Sequence, residues 1–214
     1  MGNSEKPVIG FIGLGLMGSA IIKRLQNLGY PLIVTAHRNR QPIETAVAHG
    51  AQETRTPGDL AAKSDIVMLC VDTSAAVESV MNGADGVIEN LKTGALVIDF
   101  GTSMPGSTRS LAAACKTKGA SMIDAPLGRT PAHAIDGLLN IMAAGTDDDY
   151  NRAKPILDDL GENVFHVGQV GAGHTLKLIN NFFAMNMACA MSEAFAKRQQ
   201  EFLEHVDKTT RWEQ

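Results

Sequence analysis

Val8-Ile9-Gly10-Phe11-Ile12-Gly13-Leu14-Gly15-Leu16-Met17-Gly18 is the stretch on which the reading of the fold turns. It opens as an apolar run, VIGFIG, that reads as a buried strand. It closes as a G-x-G-x-x-G, and SAIIKRLQNLGY follows with apolar residues at helical spacing. Strand, glycine turn and helix in that order give the motif a mechanism. Gly13 permits the tight turn, Gly15 lets the backbone approach a pyrophosphate, and Gly18 lets the helix pack close to the strand. The free N–H groups at the helix start then face the phosphates, aided by the helix dipole. Gly13, Leu14, Gly15, Leu16, Met17 and Gly18 are therefore the expected phosphate side of a dinucleotide site.

Working outward, strands and helices alternate. Residues 31–35, 65–71, 95–100, 121–125, 139–144 and 163–167 read as strands, several of them continuous apolar runs suited to a sheet covered on both faces. Residues 42–50, 59–63, 74–82, 105–118 and 147–160 read as helices, with a kink or break expected at Pro155. The alternation predicts a doubly wound α/β, Rossmann-type dinucleotide-binding domain over residues 1–168, with ligands at the carboxyl ends of its strands. After Gly171-Ala172-Gly173 the character changes. Residues 174 to about 205 read as one long helix without Pro or Gly, apolar almost all round from Leu176 to Met191. Such a helix is buried by other chain. Residues 169–214 are expected to be an interdomain helix opening an incomplete helical domain, and its apolar surface predicts a homodimer.

Composition narrows the function classes. The chain has 214 residues, 44% hydrophobic and 20% charged, as in ordinary soluble globular proteins. A net charge of −4 argues against general affinity for nucleic acid. No apolar run is long enough to span a bilayer, and MGNSEKP lacks the apolar core of a signal peptide. A cytoplasmic protein without nucleic-acid or membrane partners is expected. Cys70, Cys115 and Cys189 form no C-x-x-C and are read as buried free thiols; no metal-ligand spacing stands out.

Four places could carry chemistry. Past the second strand, where an acid would bind a ribose 2′-OH, the chain reads Ala36-His37-Arg38-Asn39-Arg40. The arginines suit the extra phosphate of NADP, which is preferred here over NAD; the alternative is a solvated basic turn. Lys177 interrupts the apolar helix with Asn180 and Asn181 three and four residues on, a group able to hold and polarise a carbonyl oxygen. The loop Asp124-Ala125-Pro126-Leu127-Gly128-Arg129-Thr130 follows a strand. There the Arg129 fork suits a carboxylate, sulfonate or phosphate, or else pairs with a structural acid. Thr102 follows another strand, at the ligand edge or as a helix cap. His133 and His174 have no partner acid fixed near them in sequence and are read as surface or loop histidines.

Together these motifs resemble the β-hydroxyacid dehydrogenase family, which includes 3-hydroxyisobutyrate dehydrogenases and tartronate semialdehyde reductases. GFIGLGLMG is similar to its cofactor motif, DAPLGRT stands where the family has DAPVSGG, and GAGHTLKLINN resembles its catalytic motif. GRTPAHAIDG and KLINNFF look most like the 3-sulfolactaldehyde reductase branch. The resemblance implies a catalytic Lys177. It implies Leu16, Met17, Val71 and Thr102 along the cofactor, Arg129 and Thr130 at the sulfonate, and Asn180 and Asn181 positioning a small anionic substrate. That branch uses NADH and carries an acid after its second strand, where this chain has Ala36-His37-Arg38. Family members continue into a longer helical domain, so a shortened C-terminal domain is expected here. The readings that follow are an NAD(P)-dependent oxidoreductase reducing a small anionic aldehyde or running the reverse, a dehydrogenase of the 3-hydroxyisobutyrate or tartronate semialdehyde type, or a non-catalytic dinucleotide-binding module.

Overall fold

The computed structural model describes residues 6–35 and 39–210, with side chains as far as 205. In chain order the elements are β1 (Ile9–Ile12), α1 (Leu16–Asn27), β2 (Leu32–Thr35), α2 (Gln41–Ala48), β3 (Gln52–Thr54), α3 (Pro57–Lys63), β4 (Ile66–Leu69) and α4 (Ser74–Met81). A 3-10 turn (Ile88–Asn90), β5 (Leu96–Asp99), α5 (Pro105–Thr117), β6 (Ser121–Asp124), β7 (Leu127–Gly128) and α6 (Pro131–Asp136) follow. The chain continues with β8 (Leu139–Ala143), α7 (Asp147–Leu160), β9 (Gly161–His166) and α8 (Ala172–Thr210). Two compact units result, residues 1–177 and 178–214.

Six parallel strands of the first unit form a sheet in the order β3-β2-β1-β4-β5-β6. The chain winds outward from β1 to β3, then returns to place β4 on the other side of β1. Ligands of doubly wound sheets bind outside the carboxyl ends at this reversal. Alternate residues of the central strands feed two cores. Phe11, Met68, Ile98 and Ile123 pack on one face with Ile21, Leu25 and Leu157. Ile12, Val67, Val97 and Met122 pack on the other with Leu60, Met81 and Leu111. Burial on both faces is why these strands read as unbroken apolar runs.

The register levels the carboxyl ends: Ile12 pairs with Leu69, Leu69 with Asp99, and Asp99 with Asp124. The expected strands at 139–144 and 163–167 do not extend this sheet. β8 and β9 form a separate three-stranded sheet with β7, antiparallel at β7–β8 and parallel at β8–β9. An isolated bridge from Asp124 to Ala144 joins the two sheets. Pro126 has no N–H to prolong a ladder, so the chain leaves β6 there and turns into β7. α7 runs from Asp147 to Leu160 without a break at Pro155. It starts on Thr146, whose hydroxyl accepts from the Asp149 N–H, and three acids face the positive end of its dipole.

The second unit, by itself, is the remaining length of α8. Phe182, Phe183, Met185, Met187, Met191 and Phe195 are all more than half exposed. Cys189 is also exposed, which corrects its reading as a buried thiol; Cys115 is buried and Cys70 half-buried. Among the described residues no helix is long and apolar enough to cross a membrane.

Candidate functional site

Four strand ends build the site on the first unit. At the end of β1, Gly13 takes φ +101, and a Cβ there would stand 2.2 Å from the carbonyl oxygen of Cys70, the residue just past β4. A Cβ on Gly18 would stand 1.9 Å from the Gly13 carbonyl oxygen, so only glycine lets α1 start this close to its strand. Gly15, the N-cap of α1, differs: a Cβ there meets nothing within 4 Å. Among the described residues no side chain caps this helix and no acid sits in its first turn, so its first N–H groups have no side-chain partner there. Leu16 is 86% exposed and Met17 and Leu14 half-buried along the same turn. An uncapped helix start behind an open glycine fits the phosphates of a dinucleotide.

Val71 is half-buried past the end of β4, and Thr102 half-buried past the end of β5. A Cβ on Gly101 would stand 2.9 Å from the Val71 carbonyl oxygen, so these two stretches run in contact. Burial, then the charges of Asp99 and Asp72, push the neighbouring Cys70 thiol up to about 12, which keeps it protonated.

Lys177 closes the first unit. Its Nζ donates a 2.6 Å hydrogen bond to the Leu127 carbonyl, and burial lowers its pKa from the ordinary lysine value. The sequence candidates at Lys177 and in the Asp124–Thr130 loop thus meet. Gly173 makes that approach possible, since a Cβ there would lie 2.3 Å from the Met142 carbonyl and 3.1 Å from Pro126. Asn180 is exposed and Asn181 half-buried on the second unit.

Arg129 is the one non-glycine residue with positive φ among those described, at +76. Its Nη1 donates to Glu162 Oε2 at 2.5 Å and to the Leu138 carbonyl at 2.6 Å. Of the two partners foreseen for Arg129, the structural acid is present. Thr130 is exposed, and its hydroxyl lies 2.7 Å from His133 Nδ1. Arg38 lies outside the described residues. Arg40 forms a bidentate pair with Glu53 at 2.6 and 3.1 Å, which commits one of the two arginines expected at the ribose.

The reading of His174 as a surface or loop residue is overturned. It is fully buried, as are Asp99 and Asp124. Asp124 Oδ1 accepts from the Gly171 N–H at 2.7 Å and Oδ2 from the His174 N–H at 2.8 Å, so one carboxylate satisfies two N–H groups at the start of α8. Asp99 accepts from the Gly101 N–H at 2.8 Å and from the Ser103 hydroxyl at 3.2 Å. The imidazole stands between them, with Nε2 3.8 Å from Asp99 and Nδ1 3.9 Å from Asp124 and 2.8 Å from the Thr108 hydroxyl. Burial holds the Asp99 carboxyl above its ordinary range. His174, the Gly101 N–H and the Ser103 hydroxyl pull it back, and Asp124 pushes it up again. Sequence reasoning missed this group because its acids lie 75 and 50 positions before the histidine. The available signal was an acid ending each of two adjacent apolar strands.

Comparison with known proteins gives the family and the fold. Residues 8–168 match the family model described as the NAD binding domain of 6-phosphogluconate dehydrogenase. The oxidoreductase YkwC of Bacillus subtilis (strain 168) is 34% identical over 93% of this chain and 69% of its own. The 3-sulfolactaldehyde reductase of Escherichia coli (strain K12) is 38% identical over 87% of this chain and 62% of its own. Among solved structures, Mycobacterium tuberculosis 3-hydroxyisobutyrate dehydrogenase with L-serine superposes with a TM-score of 0.83 at 26% identity, covering 91% of this chain and 66% of that one. The chain thus spans roughly two thirds of the length of these relatives.

Proposed function

The chain belongs to the family of the NAD binding domain of 6-phosphogluconate dehydrogenase, among the 3-hydroxyisobutyrate dehydrogenase-like proteins, and from that premise we propose an oxidoreductase that interconverts a small anionic aldehyde and its alcohol with NAD(P). The observation that carries the reading is Lys177, half-buried and hydrogen-bonded to the loop that follows β6.

The bare start of α1 would hold the pyrophosphate, with Val71 and Thr102 along the rest of the dinucleotide. When bound, the nicotinamide supplies or takes the hydride. The Lys177 ammonium donates a hydrogen bond to the carbonyl oxygen, stabilises the alkoxide as charge develops and gives up its proton. The burial that lowers its pKa favours the neutral amine left behind, and in the reverse direction that amine is the base. Arg129 would take the anionic tail on the Nε and Nη2 edge of its fork, since both its protein contacts use Nη1. Thr130, Asn180 and Asn181 would complete the substrate contacts. A sulfonated aldehyde is the preferred substrate because Arg129 adds a guanidinium to this loop; 3-hydroxyisobutyrate and tartronate semialdehyde are the alternatives. NADPH is the preferred cofactor, an inference from Arg38 and the lack of an acid before Glu44. The exposed apolar side chains of 178–205 suit a homodimer, which size exclusion with light scattering tests.

Lys177→Ala is expected to reduce turnover of 3-sulfolactaldehyde by about 10²–10⁴-fold, the usual contribution of a positioned acid or base, while NADPH affinity stays within threefold of the parent. Parent-like turnover in the variant would remove Lys177 from the reaction. Cofactor binding without turnover of any short hydroxy acid or aldehyde by the parent would favour the second reading, a dinucleotide-binding module.

A further inference from the structure

Two acids at the ends of neighbouring strands, directly opposite in register, are an unfavourable pair to bury. The fold buries both completely and sets one imidazole between them. The exposed Arg109 is also close, its guanidinium set against Gly171. The ring has a defined orientation. The Thr108 hydroxyl donates to the Met104 carbonyl at 3.3 Å, so its oxygen accepts from the Nδ1–H of His174 at 2.8 Å. Nε2 then points to Asp99, and among the described residues no hydrogen-bond partner lies within reach of it. A buried nitrogen left so is a cost that the fold carries.

Each partner of the ring holds a different piece of the site. Asp99 fixes Gly101 and Ser103, on either side of Thr102. Asp124 fixes Gly171 and His174, at the start of the helix that carries Lys177 one turn later. We propose that His174 is a positioning residue, the joint through which the loop after β5 and the first turn of α8 are held at one spacing, so that Lys177 meets a carbonyl presented from the Thr102 side. The proposal rests on the oxidoreductase reading for its consequence in turnover, and on geometry alone for its consequence at Lys177.

The test uses the full 214-residue chain and three variants. His174→Leu keeps apolar volume and removes the ring's hydrogen bond to Thr108 and its approach to both acids. His174→Gln keeps an amide able to reach Asp99. Thr108→Val is close to isosteric and removes the Nδ1 partner. The readouts are NADPH affinity, the rate at which trinitrobenzenesulfonate labels Lys177 (followed by peptide mass spectrometry), and turnover of 3-sulfolactaldehyde. His174→Leu is expected to bind NADPH within threefold of the parent and to label at Lys177 at least threefold faster. Its turnover falls at least tenfold with the aldehyde KM within threefold, and His174→Gln returns both rates to within threefold of the parent. A folded His174→Leu with parent-like labelling and turnover overturns the proposal. If that variant does not fold, Thr108→Val decides it: labelling at least twofold faster supports the joint, and an unchanged rate overturns it. Faster labelling in a chain whose parent turns nothing over leaves the joint standing and ends the oxidoreductase reading.

Discussion

At the end of β1 the chain leaves its polar groups bare, whereas at the ends of β5 and β6 it seals them in. Among the described residues, the start of α1 has no side-chain cap, no acid in its first turn and nothing within 4 Å of a Cβ on Gly15. The start of α8 has a buried carboxylate on two of its N–H groups and a buried histidine behind them. Both are helix N-termini at the carboxyl edge of one sheet, with the same unsatisfied donors. The first leaves its donors without a side-chain partner, and the second satisfies them internally, one turn before Lys177. A site that binds an anion needs free N–H groups, and a site that orients a side chain needs none left free.

The largest expected effect breaks the sealed end. Asp124→Ala strands the Gly171 and His174 N–H groups and removes one neighbour of the imidazole, and should destabilise the first unit by ~3–6 kcal/mol in urea unfolding. A loss below about 1 kcal/mol would mean that water replaces the carboxylate there.

At the open end the glycines separate folding from binding. Gly13→Ala forces a left-handed alanine against the Cys70 carbonyl and should cost ~2–5 kcal/mol. Gly15→Ala meets nothing, so stability should change by no more than about 1 kcal/mol, while NADPH affinity, read by fluorescence titration, falls at least tenfold. Equal binding by Gly15→Ala and the parent would place the pyrophosphate elsewhere.

The same contrast reaches into pH. The Val8 N–H, opposed by burial and helped by Lys92, holds exposed Asp65 below the ordinary 3.8. Its contribution to stability is present above pH 3.8 and is lost as pH falls through its lower folded value. Burial holds Asp99 above 3.8, so the folded chain keeps a proton that the unfolded chain releases, and stability falls as pH rises from 3.8 through the folded value. Urea midpoints from pH 3 upward should lose the acid-side drop in Asp65→Asn and lose the opposite slope in Asp99→Asn. A slope unchanged in Asp99→Asn would assign that proton to another group.

The smallest effect on stability is expected at Arg129. Arg129→Gly relieves a left-handed arginine and removes a partly exposed ion pair, two changes of opposite sign that should leave stability within about 1 kcal/mol. Turnover of a sulfonated aldehyde should nonetheless fall at least tenfold, with that of 3-hydroxyisobutyrate changed less. Equal losses on both would deny Arg129 a part in choosing the substrate.

How much was legible depended on how local the cause was. The β1–α1 turn, the six strands read by apolar runs and α7 from Asp147 to Leu160 could all be read directly, because periodicity and glycine spacing act within a few residues. β3, β7 and α6 were missed. β3 is three residues with two exposed, β7 is two residues, and α6 is a single short stretch. None carries enough apolar pattern to signal itself. Lys177 and the Asp124–Thr130 loop were legible as separate candidates, but the 2.6 Å bond between Lys177 and Leu127 was not.

The sequence by itself determined the doubly wound sheet, the uncapped glycine turn that suits a dinucleotide, and the lone lysine on the last helix. The last two follow from side-chain pattern and backbone freedom over a dozen residues or fewer, and the sheet from the alternation of such stretches over residues 1–168. Only the tertiary structure decided that 139–144 and 163–167 leave the main sheet, that Arg129 is bent back onto Glu162, and that His174 is enclosed by Asp99, Asp124 and Thr108. The physical reason is register. Whether an acid at a strand end faces water or another acid depends on which strand pairs beside it, and the two acids that meet here lie 25 residues apart in the chain.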